Sequence, residues 1–136
     1  MMRYLLDTNA VIAALSSSEG VFANRLHQYS PGEIGLPVVV IYELFYGAFK
    51  SRRTEYNLAV VDNLQFEVID FDKEDAREAG EIRAHLAIRG MPVGPYDVMI
   101  AGQAKARNLI LVTNNTKEFE RVPGLSIENW LIKPAI

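Results

Sequence analysis

Four side chains that can bind a cation stand in surroundings where such groups are uncommon. Asp7 closes a short apolar run, Glu43 interrupts the longest apolar stretch, and Asp97 opens an apolar helical segment. Asn115 follows a further apolar run. An ionised carboxylate beside buried apolar surface costs free energy unless a cation or hydrogen-bond donors compensate it. Three such carboxylates from distant parts of the chain therefore suggest one shared cation.

The expected chemistry of that cation follows from its ligands. Hard divalent ions prefer oxygen donors, and carboxylates are their usual protein ligands. A bound ion of this kind activates water and polarises phosphate oxygens. The residues therefore favour a Mg²⁺ (or Mn²⁺) site that performs phosphoryl chemistry.

The segments around these residues alternate between strand and helix patterns. Short apolar runs predict strands over residues 2–6, 33–36, 66–71, 109–112 and 125–128. Helical spacing predicts helices over residues 10–15, 21–29, 37–49, 54–64, 73–89 and 95–107. Such alternation is typical of a parallel α/β sheet. Ligands bind at the C-terminal ends of such strands, so we expect Asp7 and segment 113–115 at one edge of the sheet.

Single residues predict where the helices begin and which face they bury. Pro37 suits the first position of a helix, and Thr54 and Asp72 suit N-caps. Trp130 is expected to cover one end of the core, and His27 and His85 are expected at the surface. The inner face of the helix that begins at Pro37 is expected to carry Val38, Ile41, Phe45 and Ala48.

Length and composition limit the class of protein. A chain of 136 residues, 49% hydrophobic and 23% charged, is expected to form one domain over residues 1–136. The absence of cysteine excludes disulfides and thiolate metal sites. We find no membrane span and no signal peptide, which predicts a cytoplasmic protein. The net charge of −3 does not decide the partner, because basic residues also cluster, at Lys50, Arg52, Arg53, Lys105 and Arg107.

At the four positions described first, the chain resembles the PIN-domain ribonucleases, and within them the VapC toxins of bacterial VapBC toxin–antitoxin pairs. The resemblance spans nearly the whole chain and rests on four blocks in order. They are Leu6-Asp7-Thr8-Asn9, Tyr42-Glu43-Leu44 with Tyr46-Gly47, Pro95-Tyr96-Asp97 with Ile100-Ala101-Gly102, and Val112-Thr113-Asn114-Asn115 with Phe119. Asp-Thr-Asn alone would be a weak signal, whereas all four blocks together are specific.

The resemblance implies a single α/β/α sandwich around a parallel sheet and a divalent-metal-dependent endoribonuclease. It assigns catalytic positions to Asp7, Glu43, Asp97 and Asn115. It maps metal ligation to Asp7 and Asp97, with Glu43 completing the acidic cluster either as a ligand of a second ion or as a base that positions water. The fourth acidic position of the family is Asn115 here, so Glu118 and Glu120 are candidates to supply the missing charge. Thr8, Asn9 and Thr113 would orient carboxylates through hydrogen bonds.

The resemblance also implies partners. The expected substrate is RNA, most often tRNA, and the expected inhibitor is a cognate VapB-type antitoxin. A homodimer, a larger hetero-oligomer with the antitoxin, and contact with DNA only through the antitoxin are implied as well. We expect an antitoxin helix to occupy an apolar groove near Leu15, Val21, Phe22, Tyr42, Phe45, Tyr46 and Phe49.

Other interpretations belong to different classes of protein. Taken singly, Asp7 suits a helix cap, Asp97 suits the first turn of a helix, and Glu43 suits a buried ion pair with arginine. A catalytically inert PIN-fold binding module would not need three mutually repelling carboxylates. A haloacid-dehalogenase-like phosphatase would need a second aspartate where Asn9 stands.

Overall fold

A parallel β-sheet forms the centre of the molecule. The computed structural model describes residues 1–16 and 19–132. Within these residues the sheet has five strands in the order β3-β2-β1-β4-β5, and every neighbouring pair is parallel. The strands are β1 (Tyr4–Leu6), β2 (Ile34–Pro37), β3 (Glu67–Ile69), β4 (Ile110–Val112) and β5 (Ile127–Glu128). Helices flank the sheet, so the predicted α/β class is confirmed.

Seven α-helices and a short 3₁₀ turn, Pro31–Glu33, connect the strands within the described residues. The helices are α1 (Thr8–Ser16), α2 (Val21–Leu26), α3 (Val38–Phe49), α4 (Thr54–Asp62), α5 (Lys73–Ile88), α6 (Pro95–Ala106) and α7 (Thr116–Phe119). No helix in the described part of the chain is long and apolar enough to cross a bilayer.

The central strand β1 sets the position of the site. Leu5 and Leu6 are fully buried, as expected of a parallel strand that is covered on both faces. Leu6 is the register partner of Val112, and the Asp7 N–H donates to the Val112 carbonyl at 3.2 Å. The carboxyl ends of β1 and β4 therefore lie side by side, as the sequence predicts.

Several helix boundaries differ from the prediction by up to three residues, and two residues expected to begin or cap a helix occupy other positions. Pro37 is not the first residue of α3: it is the last residue of β2, pairs with Ile69, and occupies the N-cap position. Thr54 is not an N-cap: it is the first residue of α4, and its hydroxyl donates to the Ser51 carbonyl at 2.9 Å. Both residues are compatible with either position, so local sequence alone does not distinguish them.

The face that α3 turns toward the core also differs from the prediction. Val39, Val40, Leu44 and Ala48 are the buried residues. Val38 is exposed, while Ile41 and Phe45 are only partly buried. Because α3 is apolar around most of its circumference, hydrophobic spacing does not identify the face that meets the sheet.

Two of the predicted structural residues behave as expected. Asp72 caps α5 in a reciprocal arrangement with Asp75, in which each carboxylate accepts the backbone N–H of the other residue at 3.0 Å. Trp130 is only 1% exposed and contacts the rings of Tyr4, Phe22 and Tyr29. It covers one end of the core. His27 is exposed and His85 is partly exposed.

The pairing of α5 with α6 holds the helix that carries Asp97. Gly102 of α6 lies so close to Ala79 of α5 that a Cβ on Gly102 would come within 2.6 Å of the Ala79 backbone. Beside this contact the Arg107 guanidinium donates to both oxygens of Asp75, at 3.2 and 3.0 Å. Gln103 donates to the same carboxylate at 2.8 Å. These contacts hold the C-terminal half of α6 against α5.

Candidate active site

Asp7 combines a structural and a chemical position. It lies at the end of β1 and is 4% exposed, and its Oδ1 accepts the Ala10 N–H at 2.8 Å, as an N-cap of α1 does. Burial raises the pKa of the Asp7 carboxyl, and the charge of Glu43 raises it further. The Thr113 hydroxyl and the Ala10 N–H act in the opposite direction. Capping therefore explains the location of Asp7 but does not fully compensate its charge.

Glu43 is held at the site by a hydrogen bond. Its Oε1 accepts from the Thr8 hydroxyl at 2.9 Å, which links α3 to the start of α1. The ion pairs of the described residues join Arg3 to Glu33, Arg25 to Glu128, and Arg107 to Asp72 and Asp75. None of them includes Glu43, so the structural alternative of a buried Glu43–arginine pair is not observed.

Asp97 shows how strongly the acidic groups repel one another. It lies in the first turn of α6, where the helix dipole favours a negative charge. The pKa of its carboxyl is nevertheless raised to about 6. Burial is the largest cause, and the charges of Glu118, Asp7 and Glu43 follow in that order. Desolvation and repulsion therefore outweigh the helix dipole.

Asn115 contributes through its neighbour. It stands at the N-cap of α7, and its amide donates to one carboxylate oxygen of Glu118. The other oxygen of Glu118 accepts the Gly94 N–H at 3.0 Å. A Cβ built on Gly94 would lie 3.4 Å from the Asp97 Oδ2 and 3.9 Å from the Glu118 Oε1, so both carboxylates border this glycine. Glu120 is exposed.

The structure thus brings together Asp7, Glu43, Asp97 and Glu118, which we call the acidic cluster. The recorded ion pairs of the described residues connect none of these four carboxylates to a basic side chain. Asn115 lies beside the cluster and orients Glu118. Sequence spacing alone does not predict whether Glu118 or Glu120 joins the acidic cluster, because that depends on how α7 packs against the loop before α6.

The donor set of the acidic cluster suits a hard divalent ion. All four groups offer carboxylate oxygens, and a cation would relieve the repulsion that raises the pKa of Asp97. Among the described residues, no three acidic or histidine side chains form a ready cage for one ion. Mg²⁺ is commonly bound by one or two carboxylates and keeps several waters. The cluster therefore fits an ion held by pairs of side chains together with water.

An apolar cavity opens beside the acidic cluster, between α1, α3 and α4. Its volume is about 240 Å³. Thr8 and Glu43 stand at one side of it. Its remaining lining is Ile12, Leu15, Leu44, Gly47, Ala48, Asn57, Val60 and Val61.

The cavity only partly matches the groove predicted from the sequence. Leu15 lines it, but Phe22 is buried against Trp130 and Val21 is half-buried on α2. Tyr42, Tyr46 and Phe49 are exposed on the outward side of α3 rather than in the cavity. The apolar residue types alone do not predict which face of a helix is buried in the core and which stays exposed.

The predicted basic residues lie at two different places. Lys50, Arg52 and Arg53 are exposed at the end of α3 and in the loop that follows. Lys105 lies near the far end of α6, about 12 Å along the helix axis from Asp97, and its side chain packs beside Gly124. Lys105 therefore does not border the acidic cluster.

With this geometry established, comparisons with known proteins identify the class. The pattern of the PIN domain matches residues 4–125. The chain therefore belongs to the PIN-domain family.

Relatives place it more narrowly, among the VapC ribonucleases. The chain is 45% identical over 132 residues to the tRNA(fMet)-specific endonuclease VapC of Shigella flexneri, covering 96% of this chain and 99% of that protein. It is 37% identical over 133 residues to ribonuclease VapC2 of Haemophilus influenzae, covering 96% of this chain and 100% of that protein.

Solved structures show the same relationship. The fold matches a crystal structure of DNA-bound VapBC from Salmonella typhimurium with a TM-score of 0.90 at 44% identity, over 96% of this chain and 99% of that chain. It matches VapBC2 from Rickettsia felis, bound to a DNA fragment from the promoter, with a TM-score of 0.86 at 36% identity. That match covers 95% of this chain and 99% of the other.

Proposed function

We propose that the chain is the toxin of a toxin–antitoxin pair, a divalent-metal-dependent endoribonuclease that cleaves tRNA in the cytoplasm and is inhibited by a VapB-type antitoxin. The observation that carries the metal dependence is the acidic cluster. Its four carboxylates converge at the C-terminal edge of a parallel sheet, and the ion pairs of the described residues give them no protein cation. Burying such charges together is stabilising only if a ligand compensates them.

The residues have distinct parts in this proposal. Asp7 and Asp97 would hold Mg²⁺ or Mn²⁺, and Glu43, oriented by Thr8, would either complete the metal site or act as a base that positions the water. Asn115 acts by orienting Glu118. The bound ion would supply an activated water and a polarised phosphate. The protein supplies the carboxylates and the hydrogen bonds that keep them in a fixed orientation.

The two alternative functions fit less well. An inert binding module would gain stability by replacing the repelling carboxylates, yet all four are present. A phosphatase with Asp7 as covalent nucleophile would need a freely accessible carboxylate and an acidic partner two residues on. Asp7 is instead 4% exposed and hydrogen-bonded as a helix cap, and the position two residues on is Asn9.

For the substrate we propose an initiator-type tRNA. The relative from Shigella flexneri, which covers almost the same length, is named a tRNA(fMet)-specific endonuclease. The choice of RNA depends on surfaces outside the acidic cluster, so it can be tested separately from the chemistry.

For the partners we propose a homodimer that joins antitoxin chains in a larger complex, with DNA contacted through the antitoxin. The support is the similarity to the DNA-bound VapBC complexes of Salmonella typhimurium and Rickettsia felis. The apolar cavity between α1, α3 and α4 is the proposed seat of an antitoxin helix, since its lining is largely aliphatic and it adjoins Glu43.

The decisive experiment is a cleavage assay with the purified chain. Initiator and elongator methionine tRNA transcripts are incubated with Mg²⁺, with Mn²⁺, and with chelator. We expect cleavage of the initiator transcript with either metal and none with chelator. Asp97→Asn should fold normally and lose cleavage. Cleavage by Asp97→Asn in the presence of chelator would disprove the metal mechanism, and equal cleavage of both transcripts would disprove the substrate assignment alone.

A further inference from the structure

Two exposed tyrosines stand next to the acidic cluster. Tyr42 is 54% exposed and Tyr96 is 42% exposed. Tyr42 directly precedes Glu43 on α3, and Tyr96 directly precedes Asp97 on α6. Each ring is therefore carried by the same helical turn as a carboxylate of the cluster.

The two rings form a pair that spans the two helices. Their centroids are 5.5 Å apart at an angle of 59°, and their hydroxyl oxygens are 3.4 Å apart. The pair therefore bridges the two helices that carry Glu43 and Asp97, and much of its aromatic surface is open to solvent.

Positive charge lies on the same surface of α3. Tyr46 is one helical turn beyond Tyr42 and is 59% exposed, and the Lys50 ammonium lies 4.9 Å from the centre of its ring. The acidic cluster, the exposed aromatic pair and the Lys50 cation therefore follow one another along α3. An RNA strand, in which flat bases are joined to phosphates, complements each of these groups.

We propose that Tyr42 and Tyr96 form a platform on which an unpaired base of the RNA substrate stacks, so that the adjoining phosphate is positioned at the acidic cluster. This inference rests on the proposed ribonuclease function and adds two positioning residues to it. Proteins that recognise single-stranded RNA stack splayed bases on aromatic side chains. Because every base has an aromatic face, the platform sets the position of the strand more than its sequence.

Protein partners suit this surface less well. The aliphatic cavity on the other side of Glu43 offers an antitoxin helix a more apolar seat than two hydroxyl-bearing rings do. A second copy of the chain would bring a second acidic cluster toward the first unless cations intervened. A phosphate-bearing base with its metal ion complements both the rings and the charge.

The test combines kinetics with a direct stacking signal. Cleavage of the tRNA that the wild-type protein cuts is measured for Tyr42→Ala, Tyr96→Ala, Tyr42→Phe and Tyr96→Phe. We expect each alanine variant to raise KM about 5- to 100-fold with a smaller change in kcat, because one stacked base is lost. Phenylalanine retains the ring and should keep KM near the wild-type value.

Stacking itself is observed with 2-aminopurine placed beside the mapped cleavage site of the same tRNA. In the cleavage-inactive Asp97→Asn protein, binding should quench the probe, and adding either alanine substitution should remove the quenching. Tyr56→Ala is the matched control, since Tyr56 is 56% exposed on α4 and adjoins no carboxylate of the cluster. Thermal unfolding by circular dichroism confirms that each variant is folded.

The outcomes separate this inference from the proposed function. Unchanged KM and quenching in the alanine variants, with a wild-type protein that cleaves tRNA, would overturn the platform and leave the ribonuclease intact. Loss of homodimer or of antitoxin binding with RNA affinity unchanged would assign the surface to a protein partner and also overturn it. Failure of the wild-type protein to cleave RNA with either metal would overturn both.

Discussion

At the scale of single residues, the site is a balance between burial, repulsion and hydrogen bonding. Asp7 is buried and caps α1, Glu43 is held by Thr8, and Asp97 keeps a raised pKa in spite of its place at a helix N-terminus. The fourth carboxylate, Glu118, is oriented by an amide and a backbone N–H. A residue whose electrostatic cost is not compensated within the protein is a good candidate for ligand binding.

The part played by Glu118 can be separated from that of Glu120. Glu118→Gln removes the charge but keeps an oxygen for the Gly94 N–H, so the loop should stay in place. We expect the Mg²⁺ concentration for half-maximal RNA cleavage to rise about 10- to 100-fold, as is typical when a group that supports a metal site is lost. Glu120→Gln, two residues on and exposed, is the matched control. Equal effects of the two substitutions would show that Glu118 has no special part.

The raised pKa of Asp97 predicts a pH-dependent cost in the metal-free protein. Its carboxyl titrates at about 6 in the folded state, against an ordinary value of 3.8. Between these two pH values the folded protein binds more protons than the unfolded chain, so stability falls as pH rises through this window. With chelator at pH 7, Asp97→Asn should therefore melt at a higher temperature than the wild-type protein.

The difference in melting temperature should shrink as the pH falls and be lost below about pH 3, where Asp97 is protonated in both states. Glu81→Gln provides the control, because it removes one exposed charge from the middle of α5. Thermal unfolding by circular dichroism across this pH range measures both variants. A melting temperature of Asp97→Asn at or below that of the wild-type protein at pH 7 would rule out repulsion at this position.

At the scale of elements, the strands and one shared edge of the sheet were predictable, and helix orientation was not. The apolar runs predicted β1 and β4 because buried parallel strands need no polar face, and this places Asp7 beside Thr113. The role of Asp72 as the N-cap of α5 was also predictable from the sequence. The inner face of α3 was not, since a helix that is apolar on most sides offers several faces of similar energy. Convergence of Glu43 with Asp97 depends on how α3 and α6 pack, which local patterns do not encode.

The close contact between α5 and α6 predicts a destabilising substitution. Gly102→Ala would place a methyl group within 2.6 Å of the backbone of Ala79, which must then move. We expect a loss of about 1–3 kcal/mol in the free energy of unfolding, measured by urea denaturation. RNA cleavage should fall as well, because α6 carries Asp97.

Gly80→Ala is the counterpart on α5. A Cβ there meets no atom within 4 Å, and alanine favours the helix by up to about 1 kcal/mol, so this variant should be more stable than the wild-type protein. Equal destabilisation by the two substitutions would mean that the closeness of Gly102 to Ala79 does not limit the packing.

At the scale of the whole molecule, the active site and the proposed antitoxin seat share Glu43 and Thr8. Both residues border the apolar cavity and are also linked to each other by the hydrogen bond that orients Glu43. An occupant of the cavity would therefore lie against the acidic cluster without entering it. Inhibition can follow from a cation of the antitoxin that reaches the carboxylates in place of metal. The sequence alone predicted such a groove but assigned most of its lining to other residues.

A substitution that blocks antitoxin binding in the apolar cavity but leaves the acidic cluster intact tests whether occupation of the cavity causes inhibition. Ile12 lines the cavity and is 49% exposed, so Ile12→Glu would bury a charge only when the antitoxin binds. We expect the purified variant to cleave tRNA at the wild-type rate but to escape inhibition by the VapB-type antitoxin that inhibits the wild-type chain. Co-expression with that antitoxin should then no longer restore growth.

Ile88→Glu is the control for Ile12→Glu. Ile88 is 83% exposed at the end of α5, far along the chain from the cavity-lining residues, and its substitution should leave inhibition and rescue unchanged. Calorimetric titration of antitoxin into each variant separates lost binding from lost folding. If Ile12→Glu still binds the antitoxin as tightly as the wild-type chain does, the antitoxin helix sits elsewhere, and inhibition must reach the acidic cluster from another side.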